Sequence, residues 1–362
     1  MRIMILPCDG IGPEIMAATR EVAEAANAVF DLGLTFHHEE IGLASLKKQG
    51  ITLRDDVLGR AGSEFDGIIL GPQSNMDYPP PEDGGRNIAA SFRSGLALFA
   101  NVRPARSRAF LPAKAPGMDL VIMREATEGF YPDRNMHQGN GEMMPDPDVA
   151  LSLRKITRRA SERICHEAFK LALRRRRKVT AVHKGNVFRL TDGLFLTCFE
   201  TVAKDYPEVA TETVIVDAMA AYLVRQPETY DVIVTTNFYG DILSDLASEL
   251  SGSLGLAGSI MANTDSGLCC AQAQHGSAPD IASQNRANPT ALILSAAMML
   301  SWLGEHRAIA AMQAAGAAID AAVDAVLNDP AQRPRDLGGT VNTDAFGRLV
   351  AAAVRAGAGR RT

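Results

Sequence analysis

Short apolar runs alternate along the chain with longer segments in which apolar residues return every three or four positions. The runs at 2–6 (RIMIL), 67–70 (GIIL), 98–102, 119–123 (DLVIM), 179–183, 213–216 and 231–235 predict buried strands. Segments 14–29, 152–173, 191–205, 241–250, 289–303, 307–327 and 343–356 carry the helical period. Strands alternating with helices predict an α/β fold around a mostly parallel sheet. The alanine-rich stretch 307–327 reads as a packing helix rather than a chemical one. Pro- and Gly-rich stretches 71–86 and 131–148 predict loops or arms.

Most of these strands run directly into charge. FANV leads into Arg103, LVIM into Arg124, TAVH into Lys184 and TVIV into Asp217, while VIVTT leads to Asn237 and then Asp241. Each alone reads as a solvated loop charge. Together they place arginines, a lysine and aspartates at strand ends, where open α/β sheets bind ligands. Asp241 and Asp245 stand one helical turn apart in FYGDILSDLASEL. One reading makes Asp241 a helix-start residue, stabilised by free N–H groups after a turn at Gly240. The other places a hard divalent cation between two carboxylates that would otherwise repel.

Composition narrows the class without choosing the chemistry. A chain of 362 residues, 46% apolar and with net charge −5, suits two globular domains and offers nucleic acid no general attraction. The basic run RRRRK (174–178) ends a predicted helix and reads as a solvated C-terminus. Five cysteines, an odd number without a C-x-x-C pair, fit reduced thiols in the cytoplasm. The N-terminal apolar run is too short for a signal peptide, and no membrane association is expected. DGIGPE (9–14) comes after a strand and opens a helix but lacks the third glycine of a dinucleotide fingerprint. It is therefore rejected as a dinucleotide fingerprint.

The motifs DGIGPE, LFANVRP, REATEGFY, HKGNV, the stretch 232–259, HGSAPDIA and ANPTALILSAAMML together resemble the β-decarboxylating dehydrogenases. That family includes the isopropylmalate, isocitrate, homoisocitrate and D-malate/tartrate dehydrogenases. The resemblance runs from residue 9 to about 303. It implies oxidative decarboxylation of a (2R)-3-substituted malate with NAD(P) and Mg²⁺ or Mn²⁺. It implies a two-domain isopropylmalate-dehydrogenase-like fold: 1–98 plus 252–362 binding the cofactor, 99–251 carrying the dimer interface and metal, and a substrate cleft between them. By the same resemblance Asp241, Asp245 and Asp217 hold the metal, with Asp217 from the partner of a homodimer. Arg93, Arg103 and Arg124 hold substrate carboxylates. Lys184, also from the partner, is the base for the hydroxyl, and Tyr131 is the acid that protonates carbon. The cofactor site that the resemblance implies is non-Rossmann, a loop of His275, Gly276, Ser277, Ala278, Asp280 and Ile281, with Asn288. Asp280 and Ile281 stand where NADP-using members carry lysine and tyrosine, which favours NAD.

Two positions depart from the family pattern. Cys8 replaces the first glycine of G-D-G-I-G-P-E, and Gln272 replaces a glutamate before His275. They leave open a non-catalytic regulatory paralogue, and without the resemblance the aspartate pair also suits a metal-dependent hydrolase. Ala89, Ala90 and Ser91 precede Arg93 where isopropylmalate enzymes carry paired leucines. Together with TEGFY they lean the substrate toward isocitrate or homoisocitrate, with 3-isopropylmalate and D-malate as alternatives.

Overall fold

The computed structural model describes residues 1–131, 133 and 135–358. In chain order its main elements begin with β1 (Arg2–Leu6), α1 (Gly12–Phe30), β2 (Thr35–His38), α2 (Leu43–Gln49), α3 (Asp55–Ser63), β3 (Gly67–Leu70) and α4 (Ile88–Gly95). Then come β4 (Ala100–Arg106), β5 (Asp119–Glu125), β6 (Glu142–Asp146), β7 (Val149–Ser152), α5 (Arg158–Leu173), β8 (Lys178–His183) and α6 (Thr191–Ala203). After these lie β9 (Ala210–Ile215), α7 (Val216–Arg225), β10 (Val232–Thr235), α8 (Asn237–Ser251), β11 (Ile260–Asn263) and β12 (Leu268–Gln272). Helices α9 (Thr290–His306), α10 (Ala310–Asn328) and α11 (Thr343–Ala358) complete it. These elements fall into two compact units: Met1–Leu96 with Phe110–Pro112 and the residues from Ser253 on, and Ala97–Ala109 with Ala113–Gly252.

In the first unit the strands lie in the order β2-β1-β3-β12-β11. β1 is parallel to both neighbours, β12 is parallel to β3, and only β11 runs antiparallel. Ile3 to Leu6 and the whole of β3 are buried, as strands covered on both faces require. α9 is apolar almost all round because it is sheathed, touching β3, β11 and β12 on one side and α1 and α10 on others. α10 is long and apolar enough, by length and composition, to cross a membrane. It packs on α9 and α11, with Met312, Ala315, Ile319, Val323 and Leu327 buried.

In the second unit the order is β4-β5-β10-β8-β9, with β4 antiparallel to β5 and the other pairs parallel. The strand period of two sorts its apolar residues between two cores. Val121, Met123, Val232 and Val234 face Phe169, Phe195 and Phe199 of α5 and α6. Leu120, Ile122 and Ile233 face Met219 of α7 with Leu243 and Ala247 of α8. The predicted loop 131–148 ends in a strand, since β6 and β7 form an antiparallel hairpin. Met143, Met144, Val149 and Leu151 are exposed on it.

The basic run 174–178 ends α5 with Arg174, Arg176 and Arg177 exposed, but it is more than a solvated helix end. Arg175 donates to Asp231 at 2.7 Å and to Asp119 at 2.9 Å, Arg176 donates to the Tyr230 carbonyl, and Lys178 pairs with Glu212 at 2.9 Å. The block bolts the end of α5 to the sheet.

Glu125 and Glu128 are buried carboxylates at the end of β5. Burial first, then the charge of Glu125, pushes the Glu128 carboxyl up to about 7, against hydrogen bonds from Thr157 and the charge of Lys155. An acid whose pKa is higher folded than unfolded stabilises the fold below its ordinary value of 4.5 and loses that contribution as pH rises through about 7. Melting temperatures followed from pH 4.5 to 7.5 should therefore fall further for the native protein than for Glu128→Gln. Parallel curves for the two proteins would contradict this.

Candidate active site

α8 starts four residues earlier than its apolar period suggests. Thr236 is extended and Asn237 opens the helix, so Asp241 lies beyond the first turn and is not a helix-start residue. Its carboxylate is committed elsewhere. Arg124 and Arg103 donate to Oδ1, the latter at 3.1 Å, and the Tyr131 hydroxyl donates to Oδ2 at 2.6 Å.

Arg124 is fully buried and spends its three nitrogens on three partners: Nε on Asn237 Oδ1 at 2.8 Å, one terminal nitrogen on Asp241 and the other on the Tyr131 oxygen at 2.8 Å. Gly240, predicted as a turn, lies inside α8, and its lack of a side chain lets Arg124 lie against the helix. A Cβ there would stand 2.7 Å from Arg124 Cγ. Arg103 is not at a strand end either. β4 continues to Arg106, and Arg103 sits mid-strand opposite Ile122, its guanidinium reaching Asn101 at 2.7 Å and Ser244 at 2.7 Å. Its terminal nitrogen is 3.5 Å from Asp245.

The cluster therefore holds two guanidiniums, two carboxylates and a phenol. Burial and the neighbouring Arg124 pull the Arg103 pKa down to about 10, against the attraction of Asp241, Asp245 and Tyr131. It remains cationic at neutral pH. Burial raises the Asp245 carboxyl, opposed by Arg103 and reinforced by Asp241. The donor set fits a hard divalent cation in kind, with two carboxylates one turn apart on one helix. It does not fit in number: among the described residues of one chain, no three Asp, Glu, His or Cys side chains converge. Asp217 stands apart, paired with Lys184 at 2.5 Å, and that hydrogen bond holds its carboxyl below the usual range. The Lys184 backbone N–H is anchored on Asp192, which is fully buried and ion-paired with Arg154.

Arg93 and Ser91 belong to α4 of the first unit, whose start is capped by Asn87 through the Ala90 N–H at 3.0 Å. Ser91 donates back to the Asn87 carbonyl at 2.9 Å, Arg93 Nε lies 3.1 Å from Met261 sulfur, and Ala89 and Ala90 are buried.

The first unit also contains an open groove of about 450 Å³. His275, Gly276, Ala278, Ile281 and Asn288 line it, as do Ile11 and Gly255 from two of the quoted motifs and Arg286, Arg335 and Asp336, to which the sequence did not point. Ser277 serves the loop itself. Its carbonyl accepts the Ile11 N–H at 2.8 Å and its hydroxyl meets Ser74 at 2.8 Å. Gly10 lies so close that a Cβ there would be 2.0 Å from the Ser277 oxygen, so DGIGPE seats this loop. Asp280 is exposed on the turn Pro279–Ile281. The groove fits a nucleotide in chemistry: His275 Nε2 is buried without a hydrogen-bond partner among the described residues, and burial lowers the imidazole pKa below its ordinary value. Gly255 leaves room where a Cβ would stand 2.5 Å from Asp336. Asn288 donates to Asp336 at 2.9 Å.

The two departures are accommodated. Gln272 closes β12 and donates to Gln73 at 3.2 Å, while Gln274 ties the next segment to the Ala257 and Gly258 carbonyls at 3.1 Å each. Cys8 takes a left-handed backbone (φ 62°), where a glycine would be unstrained. Its buried thiol, pushed up by burial and by Asp9, is no nucleophile.

Comparison with known proteins agrees with this layout. The sequence model of the family described as "Isocitrate/isopropylmalate dehydrogenase" matches residues 2–350. The chain is 41% identical over 355 residues to an isocitrate/homoisocitrate dehydrogenase of Thermus thermophilus, covering 98% of each. It is 39% identical over 351 residues to a 3-isopropylmalate dehydrogenase of Archaeoglobus fulgidus, covering 97% of this chain and 98% of that one. A crystal structure of isocitrate dehydrogenase from Methylococcus capsulatus superposes with a TM-score of 0.85 at 36% identity, over 98% of this chain and 99% of that chain.

Proposed function

The chain belongs to the isocitrate/isopropylmalate dehydrogenase family and is a decarboxylating hydroxy-acid dehydrogenase; within that class we propose that it oxidises an isocitrate- or homoisocitrate-type acid with NAD. The observation that carries this reading is the cluster of Arg103, Arg124, Tyr131 and Asp241. Guanidinium forks match carboxylates geometrically, and here a proton-bearing phenol is hydrogen-bonded to one of them.

In this reading Arg103 and Arg124, with Arg93, bind and orient the carboxylates of the acid. Lys184 takes the C2 hydroxyl proton as hydride leaves C2 for the nicotinamide. The C3 carboxylate then departs as CO₂, and the enolate carbon takes its proton from the Tyr131 hydroxyl. Asp241 and Asp245, with Asp217 of the partner subunit, would hold Mg²⁺ or Mn²⁺, which when bound supplies a Lewis acid at the hydroxyl and adjoining carboxylate. While Asp241 is bound to Arg124 and Arg103, those guanidiniums supply the positive charge that a cation would.

Sharing across a homodimer is supported by the separation of the Lys184–Asp217 pair from Asp241 and Asp245 within one chain. Phe238 and Ile242, exposed on the same helix as the aspartates, and the exposed apolar hairpin β6–β7 favour a covered surface. Five unbridged, buried cysteines favour a reducing cytoplasm.

On the cofactor, Asp280 would accept from an adenosine ribose and repel a 2′-phosphate. A second reading, NADP, is favoured by Arg286 and Arg335, which line the same groove. Asp280→Lys is expected to move the NADP:NAD ratio of kcat/KM at least ~10-fold toward NADP, about 1.4 kcal/mol of discrimination. An unmoved ratio would assign the choice to the two arginines. The substrate is tested by assaying isocitrate, homoisocitrate, 3-isopropylmalate and D-malate, each with both nicotinamides and Mn²⁺. A clear preference for either tricarboxylate supports the reading, and a preference for 3-isopropylmalate or D-malate overturns that part of it.

A further inference from the structure

Resting on that reading, we propose that Glu128 is a positioning residue for the reaction: from behind the site it clamps the segment 125–131 to the start of α5 and, through Asn237, fixes where Arg124 and Tyr131 stand. Among the described residues Glu128 is hydrogen-bonded to Glu125, Thr157 and Asn237, none of which is assigned to chemistry. Its side chain is 5% exposed and meets one residue twice, accepting the Thr157 N–H at 2.6 Å and the Thr157 hydroxyl at 2.8 Å. Thr157 is in turn the cap of α5, its hydroxyl oxygen accepting the Ala160 N–H at 3.3 Å. The side chain of Glu128 is thus fastened to the first turn of a helix whose apolar face, Ile164, Cys165, Ala168, Phe169 and Ala172, lies in the unit's core.

The backbone of the same residue carries the connection forward. The Glu128 carbonyl accepts Asn237 Nδ2 at 2.7 Å, and Asn237 Oδ1 accepts Arg124 Nε at 2.8 Å. Arg124 then holds Tyr131 and Asp241. Asn237 is wholly buried, so each end of its amide has one protein partner and no water to replace it. Two further ties keep the segment from shifting. Gly129 and Lys155 exchange both backbone hydrogen bonds, at 2.9 and 3.0 Å, and the Glu128 N–H donates to Glu125 at 3.0 Å. Glu125 is held by Arg163 at 3.2 Å, whose guanidinium lies 4.2 Å over the Phe99 ring. The space between Glu125, Glu128, Ile156, Ser161, Phe195 and Asn237 has no room for a water molecule. If the Glu128 carboxylate is deleted, the Thr157 N–H and hydroxyl lose the acceptor that ties them to the segment 125–131.

The arrangement separates two roles that a stability measurement alone would merge. A clamp that only stabilises the fold would, when cut, lower the melting temperature and leave the surviving enzyme with normal constants. A positioning clamp would displace the Arg124 guanidinium and the Tyr131 hydroxyl, raising KM for the acid and lowering kcat, while KM for the nicotinamide stays put because that groove belongs to the other unit. Misplacement of such groups by about 1 Å can cost ~10²-fold.

The test uses the full-length protein with Mn²⁺ and its best acid, comparing Glu128→Ala, Glu128→Gln and Asn237→Asp. A Gln amide can accept the Thr157 N–H and donate to the hydroxyl oxygen, so it should keep kcat/KM within about threefold of the native enzyme. Glu128→Ala should lose tenfold or more in kcat/KM for the acid, with the nicotinamide KM within about twofold. Asn237→Asp keeps an acceptor for Arg124 but has no donor for the Glu128 carbonyl, and should lose a similar factor. It carries the test if Glu128→Ala does not fold. Native kinetics in a folded Glu128→Ala or in Asn237→Asp, or failure of Gln to rescue, would overturn the inference. If the native protein turns over none of the acids, the functional reading fails instead. The clamp is then read from solvent exchange of the Arg124 Nε–H by NMR, slow in the native and Gln proteins and fast in Asn237→Asp if the inference holds. Equal rates in all three would overturn it.

Discussion

Asp241→Asn is expected to reduce turnover at least ~10³-fold and to lower stability by about 2–3 kcal/mol, a combination that few active-site substitutions produce. The activity loss comes from the two proposed duties of this carboxylate, cation ligand and acceptor for the Tyr131 hydroxyl at 2.6 Å. The stability loss comes from Arg124. Its guanidinium is 1% exposed and is ion-paired with Asp241, so an amide at 241 leaves a buried cation facing a neutral group. The figure is kept below that of a fully buried pair because Asp241 itself is 38% exposed and water will screen part of the loss. Thermal or chemical unfolding of Asp241→Asn beside Asp245→Asn separates the two effects. Asp245 is 55% exposed and 3.5 Å from Arg103, so its variant should lose activity with little change in stability. Equal stability losses at both positions would show that Asp241 does not neutralise Arg124.

The second large effect is a rescue. Lys184→Met alone should lower kcat by about 10²–10⁴-fold, the usual range for a missing general base, and leave the fold intact, because its contact with Asp217 is a partly exposed ion pair. Asp241→Asn alone should be still less active. If each site takes Lys184 from one subunit and Asp241 from the other, subunits exchanged between the two inactive proteins create dimers with one site that has both side chains. With equal mixing half the dimers are mixed and one site in two is whole, giving about a quarter of native activity. No recovery after verified exchange would mean that each chain supplies its own lysine.

Part of this is legible in the sequence. β5 and β8 are short and mostly apolar in their middles (LVIM and VTAV), and those stretches are buried. β11 and β12 escape notice because IMAN and LCCAQ carry one β-branched residue between them, Ile260, and none of the alternation that marks a strand; they are strands because β3 offers an edge to β12 and β12 in turn pairs with β11. The site shows the same division. The apolar run before Arg103 places it at a strand end, yet an antiparallel partner carries β4 three residues further and puts it mid-strand. The start of α8 is hidden because Gly240 resembles a turn, whereas its purpose is clearance for Arg124, a residue more than a hundred positions away. Asp336 and Arg335 have no local signal at all, since their relation to Asn288 exists only after folding. Residue type and local period reach as far as each element's interior. What a side chain meets across the fold lies beyond them.

The central claim is that one active centre both oxidises and decarboxylates a hydroxy acid with a divalent cation in place. The direct measurement is simultaneous quantitation of reduced nicotinamide and CO₂ formed from isocitrate or homoisocitrate, before and after chelation. Equal molar amounts of the two products, lost on chelation and restored by Mn²⁺, are the predicted result. Reduced nicotinamide without CO₂, or acid consumption that needs no nicotinamide, would contradict it.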